Sequence, residues 1–93
     1  MKTLEIVHLR LAWKDPGDLV GAIRDTLGKE GQMEVRVYRH SRFEGDIHVH
    51  LYRDEGEGGT EASELGDQLA SMLRNHGMVD HSVWVEATDG TLG

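Results

Sequence analysis

Apolar and polar residues alternate along four short segments of the chain, with the two-residue period of a β-strand that buries one face. In each segment the apolar residues at odd-numbered positions are predicted to point into the core. The predicted strands span residues 4–13, 33–42, 47–53 and 81–87. Their predicted core residues are Val7, Leu9, Leu11, Val35, Val37, Ile47, Val49, Leu51, Val83 and Val85.

Two other segments repeat their apolar residues with the 3.6-residue period of an amphipathic helix. The first is predicted to begin at an N-cap, Asp15, followed by a proline, and to end at Gly28 or Gly31. The second is predicted to follow an N-cap at Thr60 and to end at Gly77. Their predicted buried faces contain Leu19, Val20, Ile23 and Leu27, and Leu65, Leu69, Met72, Leu73 and His76.

The order β-α-β-β-α-β predicts an α+β fold: a four-stranded antiparallel sheet of order 4-1-3-2 with two helices on one face. Residues 43–45, Phe-Glu-Gly, fit a three-residue hairpin loop in which glycine adopts the left-handed conformation. That loop predicts pairs whose residue numbers sum to 88, so that Tyr38 opposes His50 and His40 opposes His48. No turn sets the register of the first strand, but His8 is expected to lie near His48 or His50.

The length of 93 residues predicts a single domain over residues 1–93, with a frayed tail at 88–93. An apolar content of 38% is enough to fill two layers but not three. One face of the predicted sheet is therefore expected to lack a covering layer. That face should carry Ile6, His8, Arg10, Arg36, Tyr38, His40, His48, His50, Tyr52, Trp84 and Glu86.

This predicted face is unusually rich in histidine, arginine and large aromatic residues, which are enriched where a surface is partly buried by a partner or ligand. The element order resembles the ferredoxin-like architecture over nearly the whole chain. With one bare face, it also resembles the dimeric α+β barrel proteins, including the antibiotic-biosynthesis-monooxygenase type, in which two such sheets enclose a cavity. The resemblance implies a homodimer with a ligand cavity. The residues expected to bind the ligand are His8, Arg10, Arg36, Tyr38, His48, His50, Tyr52 and Trp84.

His48 and His50 point to the same side of their strand, about 6.5 to 7 Å apart at Cα, which is close enough to share a divalent metal ion. A third ligand is expected from His8, His40 or Glu86. Hydrogen bonding of both rings across the strands is the alternative. A surface that only assembles, without any ligand, also remains open.

Acid–base catalysis is a further possibility for these histidines, with Asp46 or Glu86 orienting a ring and Arg10 or Arg36 binding an anionic substrate. The sequence alone does not decide whether the protein is an enzyme.

The net charge of −7 and the absence of cysteine narrow the classes of function. Without cysteine, the chain has no disulfide, thiolate catalysis or cysteine metal site. The negative charge argues against nucleic-acid binding, and the aromatic consensus of RNA-recognition domains is absent. Because no apolar stretch approaches the length of a membrane span, a cytoplasmic protein without membrane contact is expected.

Overall fold

The computed structural model describes residues 2–12, 19–27, 34–43, 45–53 and 62–87. Six elements follow one another in the predicted order of strands and helices. They are β1 (Thr3–Leu11), α1 (Leu19–Leu27), β2 (Glu34–Arg39), β3 (Asp46–Arg53), α2 (Glu64–Leu73) and β4 (Gly77–Val85).

The four strands form one sheet in the order β2-β3-β1-β4, in which every neighbouring pair is antiparallel. The α+β class and the strand order are confirmed, and the arrangement is compatible with a ferredoxin-like architecture. Neither described helix has the length and apolar character needed to cross a lipid bilayer.

The core lies against the side of the sheet formed by odd-numbered residues. One cluster joins buried residues of β1 and β3 to buried residues of both helices, so the alternation predicts the buried side correctly. The cluster contains Val7, Leu9, Leu19, Ile23, Ile47, Val49, Leu51, Leu69, Ala70 and Leu73.

The predicted register of the β2–β3 hairpin is wrong by two residues. Tyr38 pairs with His48, and Arg36 pairs with His50. The His40 N–H donates to the Asp46 carbonyl oxygen at 2.9 Å, and the Asp46 N–H donates to the Phe43 carbonyl oxygen at 2.9 Å. The pairing of β2 with β3 therefore ends at His40 and Asp46, and the loop between them is longer than the predicted three-residue loop. Because a shift of two residues preserves the side-chain alternation, each residue keeps its predicted face.

The side chain of His40 stabilises this longer turn. Its Nδ1 accepts hydrogen bonds from the Arg42 N–H at 3.0 Å and the Phe43 N–H at 3.2 Å. The His40 and Phe43 rings are also in contact, with centroids 4.9 Å apart. Such local side-chain to backbone bonds compete with strand pairing, which explains the early departure from the ladder.

Helix α2 and strand β4 also differ from the predicted boundaries. The N-cap is Ser63 rather than Thr60, and its side chain accepts a hydrogen bond from the Gly66 N–H. Arg74 is the C-cap, and Gly77 does not close the helix but begins β4 opposite Leu11. The predicted first-helix N-cap at Asp15, its end at Gly28 or Gly31, and the tail at 88–93 lie outside the described residues.

Candidate functional site

The even-numbered residues of the four strands form the second side of the sheet, which we call the open face. Its members are half-buried or exposed, whereas the odd-numbered members of β1 and β3 are mostly buried. All eight residues predicted to bind a ligand lie on this face, and Glu86 follows β4 as an exposed residue. The open face contains Leu4, Ile6, His8, Arg10, Glu34, Arg36, Tyr38, Asp46, His48, His50, Tyr52, Met78, Asp80, Ser82 and Trp84.

Three histidines form a continuous row across the two central strands. The ring centroids of His8 and His48 are 4.1 Å apart, and those of His48 and His50 are 5.8 Å apart. Tyr38 packs against His50 with centroids 4.8 Å apart, and the Tyr52 hydroxyl lies 3.4 Å from His50 Nδ1. His8 is thus the neighbour of His48 rather than of His50 within the β1–β3 ladder.

Burial favours the neutral form of two rings in this row, those of His48 and His50. Burial lowers the pKa of His48, and positive charge on His8 or His50 lowers it further. The pKa of His50 is also lowered, again by burial. Since desolvation and like charges both disfavour an imidazolium, His48 and His50 present neutral rings near neutral pH.

Asp46 joins the histidine row to a basic residue. His8 Nε2 donates to Asp46 Oδ1 at 3.1 Å, and Arg10 Nε donates to the same oxygen at 3.4 Å. The hydrogen bond from His8 is the main influence that holds the pKa of Asp46 below its ordinary value, and Arg10 adds to it. Of the two acids considered from the sequence as orienting groups, the structure places Asp46 against a histidine.

Two of the predicted ligand-binding residues, Arg36 and Trp84, lie on the edge strands. Arg36 Nη2 forms a salt bridge with Glu34 Oε1 at 3.0 Å on β2. On β4 the Trp84 Nε1–H donates to the Ser82 hydroxyl at 2.9 Å.

Among the residues that the structure describes, no group of three or more histidine, aspartate or glutamate side chains is arranged so that it could hold a metal ion. His8 Nε2 is directed at Asp46, and His40 Nδ1 accepts two backbone N–H groups. The metal site predicted from His48, His50 and His8 or His40 therefore stays a prediction without a three-ligand geometry.

Two concavities meet at Arg10. One, of about 90 Å³, is lined by His8, Arg10, Met78 and Asp80, between β1 and β4. The other, of about 290 Å³, is lined by Arg10, Phe43, Gly45 and Asp46 at the hairpin turn. The basic side chain that pairs with Asp46 can thus also reach two spaces that are open to a small molecule.

Large apolar side chains surround the polar centre of the open face. Tyr38 on β2 is 45% exposed, and Met78 and Trp84 on β4 are 76% and 60% exposed. Phe43, in the turn beside the second concavity, is 62% exposed. We call these four residues the apolar rim. Their exposure contrasts with the partly buried histidines on β1 and β3.

A second polar group, on the core side, was missed by the sequence analysis. Glu5 is fully buried and accepts the Ser63 N–H with both carboxylate oxygens, each at 3.2 Å. His81 Nε2 hydrogen-bonds to Glu5 Oε2, and Arg53 Nε lies 4.0 Å from Oε1. The alternation could have indicated this group, because Glu5, Arg53 and His81 are charged or titratable residues at odd, core-facing positions. This group ties α2 to the sheet and is not open to a ligand from the open face.

A scan against models of known protein families gives no match, and searches of curated proteins and of solved structures likewise find no significant similarity. The open face is therefore interpreted from its own geometry.

Proposed function

We propose that this domain is a homodimer whose two copies pack with their open faces together and enclose a polar chamber that binds a small ligand. The observation that carries the proposal is the arrangement of the open face, in which exposed apolar residues surround partly buried histidines. This is the assembly of the dimeric α+β barrel type, in which the helices of each copy cover the outer side of its sheet.

The apolar rim supports a second copy as the partner, with a space left between the two sheets. An interface between proteins ordinarily has an apolar centre and a polar periphery. Here Tyr38, Met78 and Trp84 lie on the edge strands, and the three histidines lie on the central strands. Two copies related by a twofold axis would contact each other through these rims. The histidine rows would then face each other across a space that a polar ligand can fill.

The open face is large enough for this role. Its strands contain six to nine residues. With strands about 4.8 Å apart and a rise of about 3.3 Å per residue, the face covers roughly 500 Å² in projection. Projecting side chains enlarge the contact area beyond this value. The face is therefore of the order of the roughly 800 Å² that each partner buries in a standard interface.

The neutral rings of His48 and His50 indicate the kind of ligand that the chamber accepts. Neutral imidazoles donate through one nitrogen and accept through the other, and Arg10 adds a cationic donor beside them. Asp46 and Asp80 place negative charge on the same face. A small polar molecule fits these groups better than a large apolar one. If no such molecule binds, the dimer is an assembly module, which was the alternative left open by the sequence.

Replacing Trp84 with glutamate is expected to raise the dimer dissociation constant by about 30-fold or more, because buried tryptophans commonly contribute 2 kcal/mol or more to an interface. The 60% exposed ring would lose its contact with the second copy, and a charge would enter the rim. Light scattering coupled to size exclusion, over a range of protein concentrations, measures the change against the 10.4 kDa chain.

The matched control is Ser71→Glu, which adds the same charge at an exposed position of α2, away from the open face. This variant should dimerise as the unmodified protein does, and circular dichroism should show that both variants are folded. A wild-type mass of one chain at every concentration, or equal effects of the two substitutions, contradicts face-to-face dimerisation.

A further inference from the structure

We propose that His8 and Asp46 form an acid–base pair that moves a proton within a small oxo acid bound in the concavity between β1 and β4. The inference rests on the proposed function, since it names the substrate class and the reaction of the ligand chamber. Three features carry it: the fixed position of Asp46, the orientation of the His8 ring, and the lining of the concavity.

Asp46 is held in place from both directions along the hairpin. Its carbonyl oxygen accepts the His40 N–H, and its own N–H donates to the Phe43 carbonyl oxygen. The backbone of Asp46 also pairs with Arg10 of β1, and the Asp46 side chain is only 17% exposed. A carboxylate fixed in this way can orient a histidine ring without having to be ordered at each turnover.

The hydrogen bond to Asp46 selects the tautomer of His8. Because Nε2 donates to the carboxylate, a neutral ring carries its lone pair on Nδ1, which is then the basic nitrogen. When Nδ1 takes up a proton, the carboxylate stabilises the imidazolium that forms. This division of labour between an orienting acid and a base is the general arrangement of histidine-dependent proton transfer.

The concavity beside His8 selects a small monoanion. Its volume of about 90 Å³ accommodates a molecule of only a few heavy atoms. Arg10, whose side chain is 69% exposed and only 3.4 Å from Asp46, supplies a guanidinium that can pair with a carboxylate. Asp80 lies opposite His8 on β4 and lines the same space. Its negative charge disfavours a second anionic group on the ligand.

A 2-oxo acid satisfies these constraints and needs no co-reactant. Nδ1 of His8 removes a proton from the carbon next to the carbonyl, and the C–H electron pair moves to form an enolate on the carbonyl oxygen. The proton then returns from the imidazolium to carbon or to the enolate oxygen. Nothing is oxidised or reduced, and the net reaction is a proton shift within one molecule. Proton abstraction next to a carbonyl is a step for which a positioned histidine is suited.

The charged and titratable groups around His8 set the pH range of this reaction. The groups that face or flank the ring are Asp46, His48, Asp80 and Arg10.

Pyruvate in D₂O is the probe for this activity, and the loss of its methyl proton signal in NMR spectra measures enolisation directly. The unmodified protein should accelerate the exchange above the rate in buffer. His8→Ala should lower the protein-dependent rate by about 100-fold, the lower range for loss of a general base. His76→Ala, which removes a histidine outside the site, should leave the rate unchanged. Exchange at the buffer rate with the unmodified protein, or equal rates for both variants, overturns the proposal.

The variant Asp46→Asn tests whether Asp46 orients His8 for proton transfer or only supports the fold. Loss of the carboxylate should lower the plateau rate and move the midpoint of the pH–rate profile to lower pH, because the imidazolium loses its counter-charge. A lower rate with an unmoved profile rejects the role of Asp46. The mass of each sample is measured alongside. A dimer that does not exchange protons overturns this inference alone, whereas a monomer overturns the proposed function.

Discussion

Replacing Glu5 with alanine is expected to lower the free energy of unfolding by about 3–5 kcal/mol, the range for removing one partner from a buried charged group. Glu5 is fully buried, and Arg53 beside it is only 4% exposed. The carboxylate accepts the Ser63 N–H at the start of α2 and bonds to His81 of β4. Its removal leaves buried polar groups without this acceptor and releases the N-terminus of α2 from the sheet.

A double-mutant cycle between Glu5 and Gly66 tests whether the loss of stability comes from the Glu5 carboxylate. A Cβ atom at position 66 would lie 1.8 Å from Glu5 Oε2, so Gly66→Ala displaces the carboxylate and should destabilise the native protein. In the Glu5→Ala background the obstruction is gone. Alanine should then be neutral or stabilising by about 0.5–1 kcal/mol, because alanine is the better helix former.

Urea denaturation of the two single variants and the double variant measures the coupling. The double variant should be at least as stable as Glu5→Ala alone. Additive losses from the two substitutions would contradict the close approach of Glu5 to α2. A loss below about 1 kcal/mol for Glu5→Ala would show that the carboxylate is not a buried anchor.

Gly77→Ala is expected to destabilise the protein by about 3 kcal/mol, the upper end of the usual range for forcing extra atoms into a packed site. A Cβ atom on Gly77 would lie 2.1 Å from the Arg10 carbonyl oxygen and 2.9 Å from the Ala12 nitrogen. Both are backbone atoms, so no side-chain movement relieves the contact. The end of the β1–β4 ladder, where Gly77 pairs with Leu11, would have to separate.

Gly45→Ala is the matched control for Gly77→Ala. Its added Cβ would meet the Leu11 Cβ at 3.5 Å, an ordinary contact. The free energy of unfolding of this variant should change by no more than about 0.5 kcal/mol. Thermal or urea unfolding of both variants makes the comparison. Equal losses at the two positions would mean that the approach of β4 to β1 is not as close as described.

The two-residue alternation predicted the central strands well because the two sides of β1 and β3 differ in burial. It was wrong for Val85, which is 36% exposed at the end of the edge strand β4. Val7, Val49 and Leu51 are buried as predicted, and the strand order follows from short connections and handedness. The hairpin register was predicted wrongly because it depends on which polar groups satisfy the turn. The His40 ring accepts two backbone N–H groups there, and that choice leaves no trace in the hydrophobic pattern.

The candidate site was predictable as a set of residues but not as a set of contacts. The histidines and Arg10 were assigned to the open face from alternation alone. The bond between His8 and Asp46 depends on the register of β1 against β3, which no turn determines. Glu5 was overlooked for a different reason. A glutamate is expected to be buried only where it has a partner, and the sequence did not indicate one. Its partners Ser63 and His81 come from distant parts of the chain.

The distance between spin labels on two copies of the chain tests the face-to-face packing most directly. The chain contains no cysteine, so His50→Cys provides a single thiol on β3 for a nitroxide label. Packed sheets lie about 10 Å apart, so double electron–electron resonance should find the two labels within roughly 20 Å. Labels at Ser71→Cys, on the exposed side of α2, should be more than roughly 30 Å apart, because each helix layer adds about 10 Å. Absence of a short distance at position 50, or a short distance at position 71 instead, would contradict the enclosed chamber.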